Sequence, residues 1–387
     1  MIFLQVETIG SVIWFFLFFV FIFLYPRLML SQLIYKIEQS CRKMEQMSES
    51  ANAMVARKIT SAPSAELKNK ISAFSDFFVV EPSTIDPYGV VQRLDVLVRQ
   101  MEWRFEEFVN DVANDKDAKE RQELNYGLRA AMSLRQIAKI VRHNVELAKK
   151  FKNLQIAMIL QMQLPIIEKI AESELKGTEA FVKGLPVGDS IGPLVAANLM
   201  EKPKFIAEDV VMDTTTIAGR TCFVMKATGP SPHLGRIDEA LQAVMRKHRI
   251  ERVITIDAAL KLEGEKSGSV CEGVGFAMGG FQRELIERTL LPKKIPLDSV
   301  VVKVGLMEAI TPMKKEIYDA VPNVRTYVET AAKRVRKGGK VIIIGVGNSS
   351  GIGDSRQAIK DVKPIVEKID RAYKAEEKAT KKKKGWV

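Results

Sequence analysis

The chain has 387 residues, with 59 Lys and Arg against 47 Asp and Glu, a formal net charge of +12 and 47% hydrophobic residues. That length suits two or three domains of about 100–200 residues each, and the balance of apolar and charged residues excludes a disordered chain. Cys41, Cys222 and Cys271 are scattered, odd in number and without CxxC spacing, which argues against a disulfide framework and against a cysteine zinc site.

Ile9–Tyr25 reads IGSVIWFFLFFVFIFLY, an uncharged run extended at its N-terminal side by Met1–Leu4. At a helical rise of 1.5 Å per residue, about 17 such residues with their flanks cross roughly 30 Å of hydrocarbon. A cleaved signal peptide would need basic residues before the run and a small-residue cleavage site after it. Here Glu7 precedes the run and Pro26-Arg27 follow it. Residues 1–27 are therefore expected to be a transmembrane anchor. Arg27, Lys36, Arg42 and Lys43 all follow the run and no basic residue precedes it. The positive-inside rule then makes this a single-pass cell-membrane protein, with its N-terminus outside and its C-terminal bulk in the cytosol.

Residues 28–60 form a juxtamembrane amphipathic helix, with Leu28, Leu30, Leu33, Ile34, Ile37, Met44 and Met47 recurring at intervals near three or four. Such a stripe suits a coiled coil, so a protein partner or a homo-oligomer is expected through the helical region. Thr60-Ser-Ala-Pro63-Ser64 interrupts the pattern, and Glu81-Pro82-Ser83 and Asp86-Pro87 interrupt it again. Within 61–176, the segments VVQRLDVLVRQMEWRFEEFV and LRAAMSLRQIAKIVRHNVELAKKF are long, amphipathic and nearly free of glycine, which predicts a helical domain. Met101, Trp103 and Phe105 are expected in its core. His143 stands alone among basic residues.

After Gly177 the texture changes. Apolar β-branched runs at Cys222–Ala227, Val253–Ile256, Val300–Val304 and Val341–Ile344 alternate with helical patterns at Pro193–Met200, Ile237–His248, Phe281–Leu291 and Glu316–Arg336. This predicts an α/β domain over 177–362 with a largely parallel sheet covered on both faces. Residues 363–387 are the end of a helix and a basic tail containing Lys381–Lys384. Beside a bilayer such a tail attracts anionic lipid. Nucleic acid is another partner for basic charge, but no aromatic-interleaved binding motif accompanies it.

Two constellations in the α/β domain carry chemistry. Gly184-Leu-Pro-Val-Gly188-Asp189-Ser190-Ile-Gly192-Pro193 leads into an apolar helix whose N-terminus offers unpaired N–H groups, though Asp189 and Ser190 are also good helix caps. Val253-Ile-Thr-Ile-Asp257 is a buried strand ending in an aspartate, where α/β sheets bind ligands. Two such aspartates can share a proton for general acid and base work, or hold a divalent metal.

The order of GDSIGP, helix, strand, helix and VITIDAAL resembles the germination protease and hydrogenase maturation protease superfamily. The run Gly273-Val-Gly275-Phe-Ala-Met-Gly279-Gly280-Phe-Gln-Arg-Glu-Leu285 looks like that superfamily's glycine-rich loop leading into a helix. The resemblance covers roughly 177–290. It implies a phosphorylase/hydrolase-like fold with a strand before GDSIGP, and its functional carboxylates carry over to Asp189 and Asp257 only; the glycine loops themselves add Gly188, Ser190, Gly192, Gly275, Gly279 and Gly280 as candidate ligand contacts. The histidine that the hydrogenase maturation branch uses near its metal has no counterpart here, since His233 lies in a proline-rich loop. The whole layout of anchor, helical middle and α/β end resembles an uncharacterised archaeal membrane-anchored family of unknown function.

A last loop, Gly345-Val-Gly347-Asn348-Ser-Ser-Gly351-Ile-Gly353-Asp354-Ser355, looks like the nucleotide loop of short-chain dehydrogenases. Only a helix and the tail follow it, without the later strands and acidic ribose reader of a dinucleotide fold. The loop can instead border the crevice of Asp189 and Asp257 and add Asn348, Asp354 or Ser355 to it, or be a turn that glycine makes possible. The leading expectation is a membrane-tethered hydrolase, a peptidase using paired aspartates. The alternatives are a non-enzymatic membrane adaptor with a degenerate α/β domain and a nucleotide- or phosphate-binding protein.

Overall fold

A computed structural model describes residues 2–77, 90–275 and 281–384. The expected breaks at Pro82 and Pro87, and Gly279 and Gly280 of the third glycine run, lie outside the described residues.

Five helices make up the N-terminal half: α1 (Ile2–Ile59), α2 (Ala65–Phe74), α3 (Val90–Val112), α4 (Ala118–Phe151) and α5 (Leu154–Val182). Side-chain caps set the starts of α2, α4 and α5. The carboxylate of Asp117 accepts from Glu120 N to open α4, and the amide of Asn153 accepts from Gln155 N and Ile156 N to open α5. One continuous helix carries both the apolar run and the amphipathic stretch, and its two halves face different surroundings. From Leu33 onward, Ile37, Cys41, Met44, Ser48, Ala51, Val55 and Ile59 are buried at intervals of three or four, against α4 and α5. Between Trp14 and Tyr25 nearly every side chain is exposed, Trp14 at 75% and Phe23 at 72%.

Among the described residues, α1 and α5 are the two helices long and apolar enough to cross a membrane. They differ in kind, because α5 gives Ala157, Leu160, Leu164 and Ala171 to the core of the bundle. Of the expected core stripe, Phe105 is fully buried, but Trp103 is 63% exposed. Positions 103 and 105 are separated by about 200° on a helix, so they cannot both face the same core. Trp103 instead lines a cavity of about 120 Å³ where α3 and α4 meet the second half of the chain.

The C-terminal half contains α6 (Ile191–Leu199), β1 (Lys204–Ala207), β2 (Val210–Ile217), β3 (Arg220–Ala227), α7 (Ile237–Lys247), β4 (Arg252–Leu260), β5 (Val270–Val274), α8 (Phe281–Leu290), β6 (Leu297–Val304), α9 (Leu306–Ile310), α10 (Lys315–Tyr318), α11 (Val321–Ala332), β7 (Lys340–Gly345) and α12 (Ala358–Lys384). The strands form one sheet in the order β1-β2-β3-β7-β4-β6-β5. The sheet is mixed, which corrects the expectation of a largely parallel one. The four central strands β3, β7, β4 and β6 run parallel, whereas β1 and β2 on one side and β5 on the other pair antiparallel. The parallel strands are covered on both faces and read as apolar runs, while the added strands are half-exposed and carry alternating polar residues such as Asp213, Thr215 and Glu272.

The crossover β3–α7–β4 packs on one face, with Ala240, Leu241 and Val244 against Phe223, Val253 and Ile342. The crossover β6–α11–β7 packs on the other, with Val324, Val328 and Ala331 beside α6 and α12. The strand order therefore reverses between β4 and β7, the place where open α/β sheets bind ligands beyond the strand carboxyl ends.

Candidate functional site

The two aspartates meet at this switch point, by a route different from the expected one. Gly188-Asp189-Ser190 is a single 3-10 turn between α5 and α6, preceded by a helix and not by a strand. This departs from the order on which the protease resemblance rests. Backbone contacts with the segment after α9 clamp the turn: Gly188 N donates to Thr311 O, Met313 N donates to Pro186 O, and Val187 bridges to Pro312. Asp257 is not the last residue of its strand, since β4 stays paired with β6 as far as Leu260. It lies just past the last β4–β7 ladder pair, Ile256 with Gly345, where Val346 N still donates to Ile256 O.

Glycine makes the approach of the two segments possible. A Cβ on Gly192 would stand 2.1 Å from Val346 O and 2.4 Å from Ile256 O, so only glycine lets α6 press onto the ends of β4 and β7. This contact brings Asp189, one turn earlier, to Asp257. Asp189 keeps some contact with solvent, whereas Asp257 is 4% exposed. Asp189 Oδ2 accepts from Asn348 N at 2.8 Å, and Asp257 Oδ1 accepts from Ala258 N at 2.7 Å. Asp257 Oδ2 is buried without a hydrogen-bond partner.

Burial, reinforced by the charge of Asp189, pushes the Asp257 carboxyl up to about 8. Burial also raises Asp189, against the opposing hydrogen bond from Asn348. The two carboxyls have no cation beside them and repel one another, so Asp257 keeps its proton up to about 8 and the two titrations are coupled. Among the described residues no three His, Cys, Asp or Glu side chains gather as a metal-binding group. A divalent ion here would have only these two carboxylates from the set, and it would have to displace their proton.

The remaining expected site residues divide. Gly188 and Ser190 act within the protein: a Cβ on Gly188 would meet Glu308 O at 2.2 Å, and the buried Ser190 hydroxyl lies 3.4 Å from Ser350 O. Gly347 and Asn348 do join the crevice, through the backbone against Asp189. Successive N–H groups of this loop are spent on protein acceptors: Asn348 on Asp189, Ser349 on His233 O, Ser350 on the Asn348 side chain, Gly351 on Pro230 O and Ile352 on Ser349 O. These five donors are therefore unavailable to a phosphate. Gly351, at φ +68°, has Pro186 N where a side chain would start, and Gly353 meets only Ala358.

Asp354 faces another buried group. Its Oδ1 takes the Lys226 ammonium at 2.6 Å and Gly229 N at 2.8 Å, and its Oδ2 takes the Thr228 hydroxyl at 3.1 Å. Lys226 has no exposed surface, and burial lowers its pKa against the pull of Asp354. The sequence reading missed Lys226, although a lone lysine in the apolar run Cys222–Ala227 was a usable signal. Gly275 belongs elsewhere. It follows Val274, which pairs with Asp298 near the amino end of β6, whereas Asp257 pairs with Val301 three residues further along, about 10 Å away.

Comparison with curated proteins and with solved structures yields no match. Residues 11–184 match the N-terminal domain, and residues 187–353 the C-terminal domain, of the DUF1512 proteins of unknown function, so that nearly the whole chain is covered and it belongs to the DUF1512 family.

Proposed function

We propose that this protein is a membrane-tethered hydrolase, anchored by the first half of α1, whose Asp189–Asp257 pair activates water against a peptide-type carbonyl. The observation that carries the chemistry is the unpartnered, buried Asp257 Oδ2 beside a second carboxyl that holds the pair's pKa values high. With one proton between them, the ionised carboxyl removes a proton from water as its oxygen bonds to the carbonyl carbon. The protonated one donates to the carbonyl oxygen; when the C–N bond breaks, the proton taken from water goes to the departing amine and a hydroxyl of the diol returns its proton to the other carboxyl as the product carbonyl forms. Asp189, in contact with solvent, stands at the mouth, and Asp257 forms the floor. The anchor reading rests on the bare apolar surface from Trp14 to Tyr25, which water would not tolerate over such an area.

The test is peptide hydrolysis by the full chain in bilayer discs, with Asp189→Asn and Asp257→Asn compared against wild type. Each variant is expected to lose at least about 100-fold in rate while remaining folded. Full activity in both would remove the assignment.

One observation favours an adaptor instead. Leu260, Leu262 and Leu306 are 59%, 67% and 64% exposed at the carboxyl edge of β4 and β6, a rim that suits an apolar partner as well as an apolar substrate. Recovery of a stoichiometric partner that both aspartate variants retain, with no hydrolysis by wild type, would favour the adaptor.

A further inference from the structure

The register of the bundle relates the hairpin between α4 and α5 to the apolar half of α1. Along α5, Ser40 bonds Glu168 and Lys43 bonds Glu172, so the two helices run parallel. Counting back 14 residues from Glu168 to Leu154 and from Ser40 to Pro26 sets Leu154 level with Pro26. Along α4, Lys58 bonds Glu123 and Glu38 bonds Lys149, so that pair runs antiparallel. Nearer the tip, the bonds of Arg142 to Glu38 and Glu45 and of Lys149 to Glu38 set Phe151 between the levels of residues 29 and 36 of α1. The hairpin tip thus stands just beyond the end of the apolar run of α1, on the side of Arg27.

Its chemistry suits that level. No charged residue occurs from Asn153 to Ile167, yet the outward face of this stretch is not covered: Met158, Ile159, Met162 and Ile166 are exposed, Met162 at 80%. Phe151 at the tip is 61% exposed, and the exposed Lys150 and Lys152 flank it. An apolar face bordered by lysines is the pattern of a segment lying at the boundary between headgroups and acyl chains.

We propose that the α4–α5 tip and the adjoining outer face of α5 rest in the interface of the same membrane that receives α1. This gives the bundle a second contact with anionic lipid and fixes its rotation about α1. The inference rests on the anchor reading. Met158 and Ile159, level with residues 30 and 31 of α1, sit among the headgroups with Phe151 at their outer edge, and Met162 and Ile166, level with residues 34 and 38, lie beyond them. The headgroup zone is about 5–7 Å deep on each side of the hydrocarbon, or four to five residues of helix.

The test uses the full chain in phosphatidylcholine–phosphatidylserine vesicles with brominated acyl chains, which quench tryptophan on contact. Trp103 and Trp386 are replaced by Phe so that Trp14 reports alone. With Trp14 also replaced by Phe, Phe151→Trp, Ile159→Trp and Ile140→Trp report in turn. Ile140 is exposed on α4 but lies further from the tip, between the levels of residues 40 and 47 of α1. The expected order is strong quenching at 14, quenching at 151 and 159 several-fold above that at 140, and little at 140. Quenching at 14 with 151 and 159 no different from 140 overturns the second contact and leaves the anchor standing. An unquenched Trp14 removes the anchor and this inference with it. Disulfide cross-linking of Met162→Cys between two chains, with 159 unquenched, assigns the face to a second copy and also overturns the proposal.

Discussion

Two carboxylate settings in this molecule are built on opposite principles. Between α1 and α4, Glu38 receives Lys149 at 2.6 Å and Arg142 at 2.7 Å, and these cations hold its carboxyl down to about 2. At the carboxyl edge of the sheet, Asp257 has protein around it, Asp189 beside it and no cation, and its carboxyl rises to about 8. The first arrangement is that of a group fixed in one ionised state to hold two helices together. The second leaves a proton to be moved, the property on which the proposed acid–base role rests. The difference lies in the neighbours, since both residues are ordinary carboxylates in partly or fully enclosed positions.

The most severe way to break the second setting is to push its two halves apart. Gly192→Ala sets a methyl against Val346 O and Ile256 O, so α6 must leave the sheet. A loss of about 4 kcal/mol or more is expected, read as missing hydrogen-exchange protection in β4 and β7 while the helical bundle stays protected. Next in size is Asp354→Asn, which leaves the fully buried Lys226 ammonium without a counter-charge and should cost about 3 kcal/mol in urea unfolding. Lys226→Met should cost less, because the Asp354 it leaves is partly exposed and keeps Gly229 N and the Thr228 hydroxyl.

The comparison is sharpest in pH. The raised carboxyl of Asp257 favours the folded state when protonated, so its contribution is full below about 4 and is lost as pH rises through about 8. Asp257→Asn should therefore match wild type at pH 4 and exceed it at pH 9 by about 2–4 kcal/mol, as shown by protection of β4. The lowered carboxyl of Glu38 works in the other direction. Its contribution is present above about 4.5 and is lost as pH falls toward about 2. Glu38→Gln should cost about 1 kcal/mol at pH 7, after allowing for solvent screening, and nothing at pH 2, as shown by protection of α4. Equal pH dependence in the two regions would end the distinction drawn between them.

Legibility in the sequence followed burial. Strands β3, β4, β6 and β7 could be read because a strand covered on both faces must be apolar throughout. Strands β1, β2 and β5 could not, because their exposed faces carry Asp213, Thr215 or Glu272 and dilute the pattern. The tight turn between β2 and β3 has φ of +50° at Ala218 and +77° at Gly219, a type I′ geometry that Asn-Gly would have announced and Ala-Gly does not. Asp189 and Asp257 could be picked out from their loops, but the strand expected before Asp189 is the end of α5. Gly275 was grouped with them because the sequence does not tell which end of the sheet a loop occupies.

The apolar run at Ile9–Tyr25 and the break in texture near Gly177 were determined by sequence alone, because continuous hydrophobicity and local glycine content need no distant partner. The meeting of Asp189 with Asp257, the cation that takes Asp354 and the bare face of α5 were decided only by the tertiary structure. Each depends on which distant residue packs alongside, or on none doing so. A carboxyl's proton affinity depends on neighbours within a few ångströms, and the chain order leaves those neighbours open until the sheet and bundle have closed.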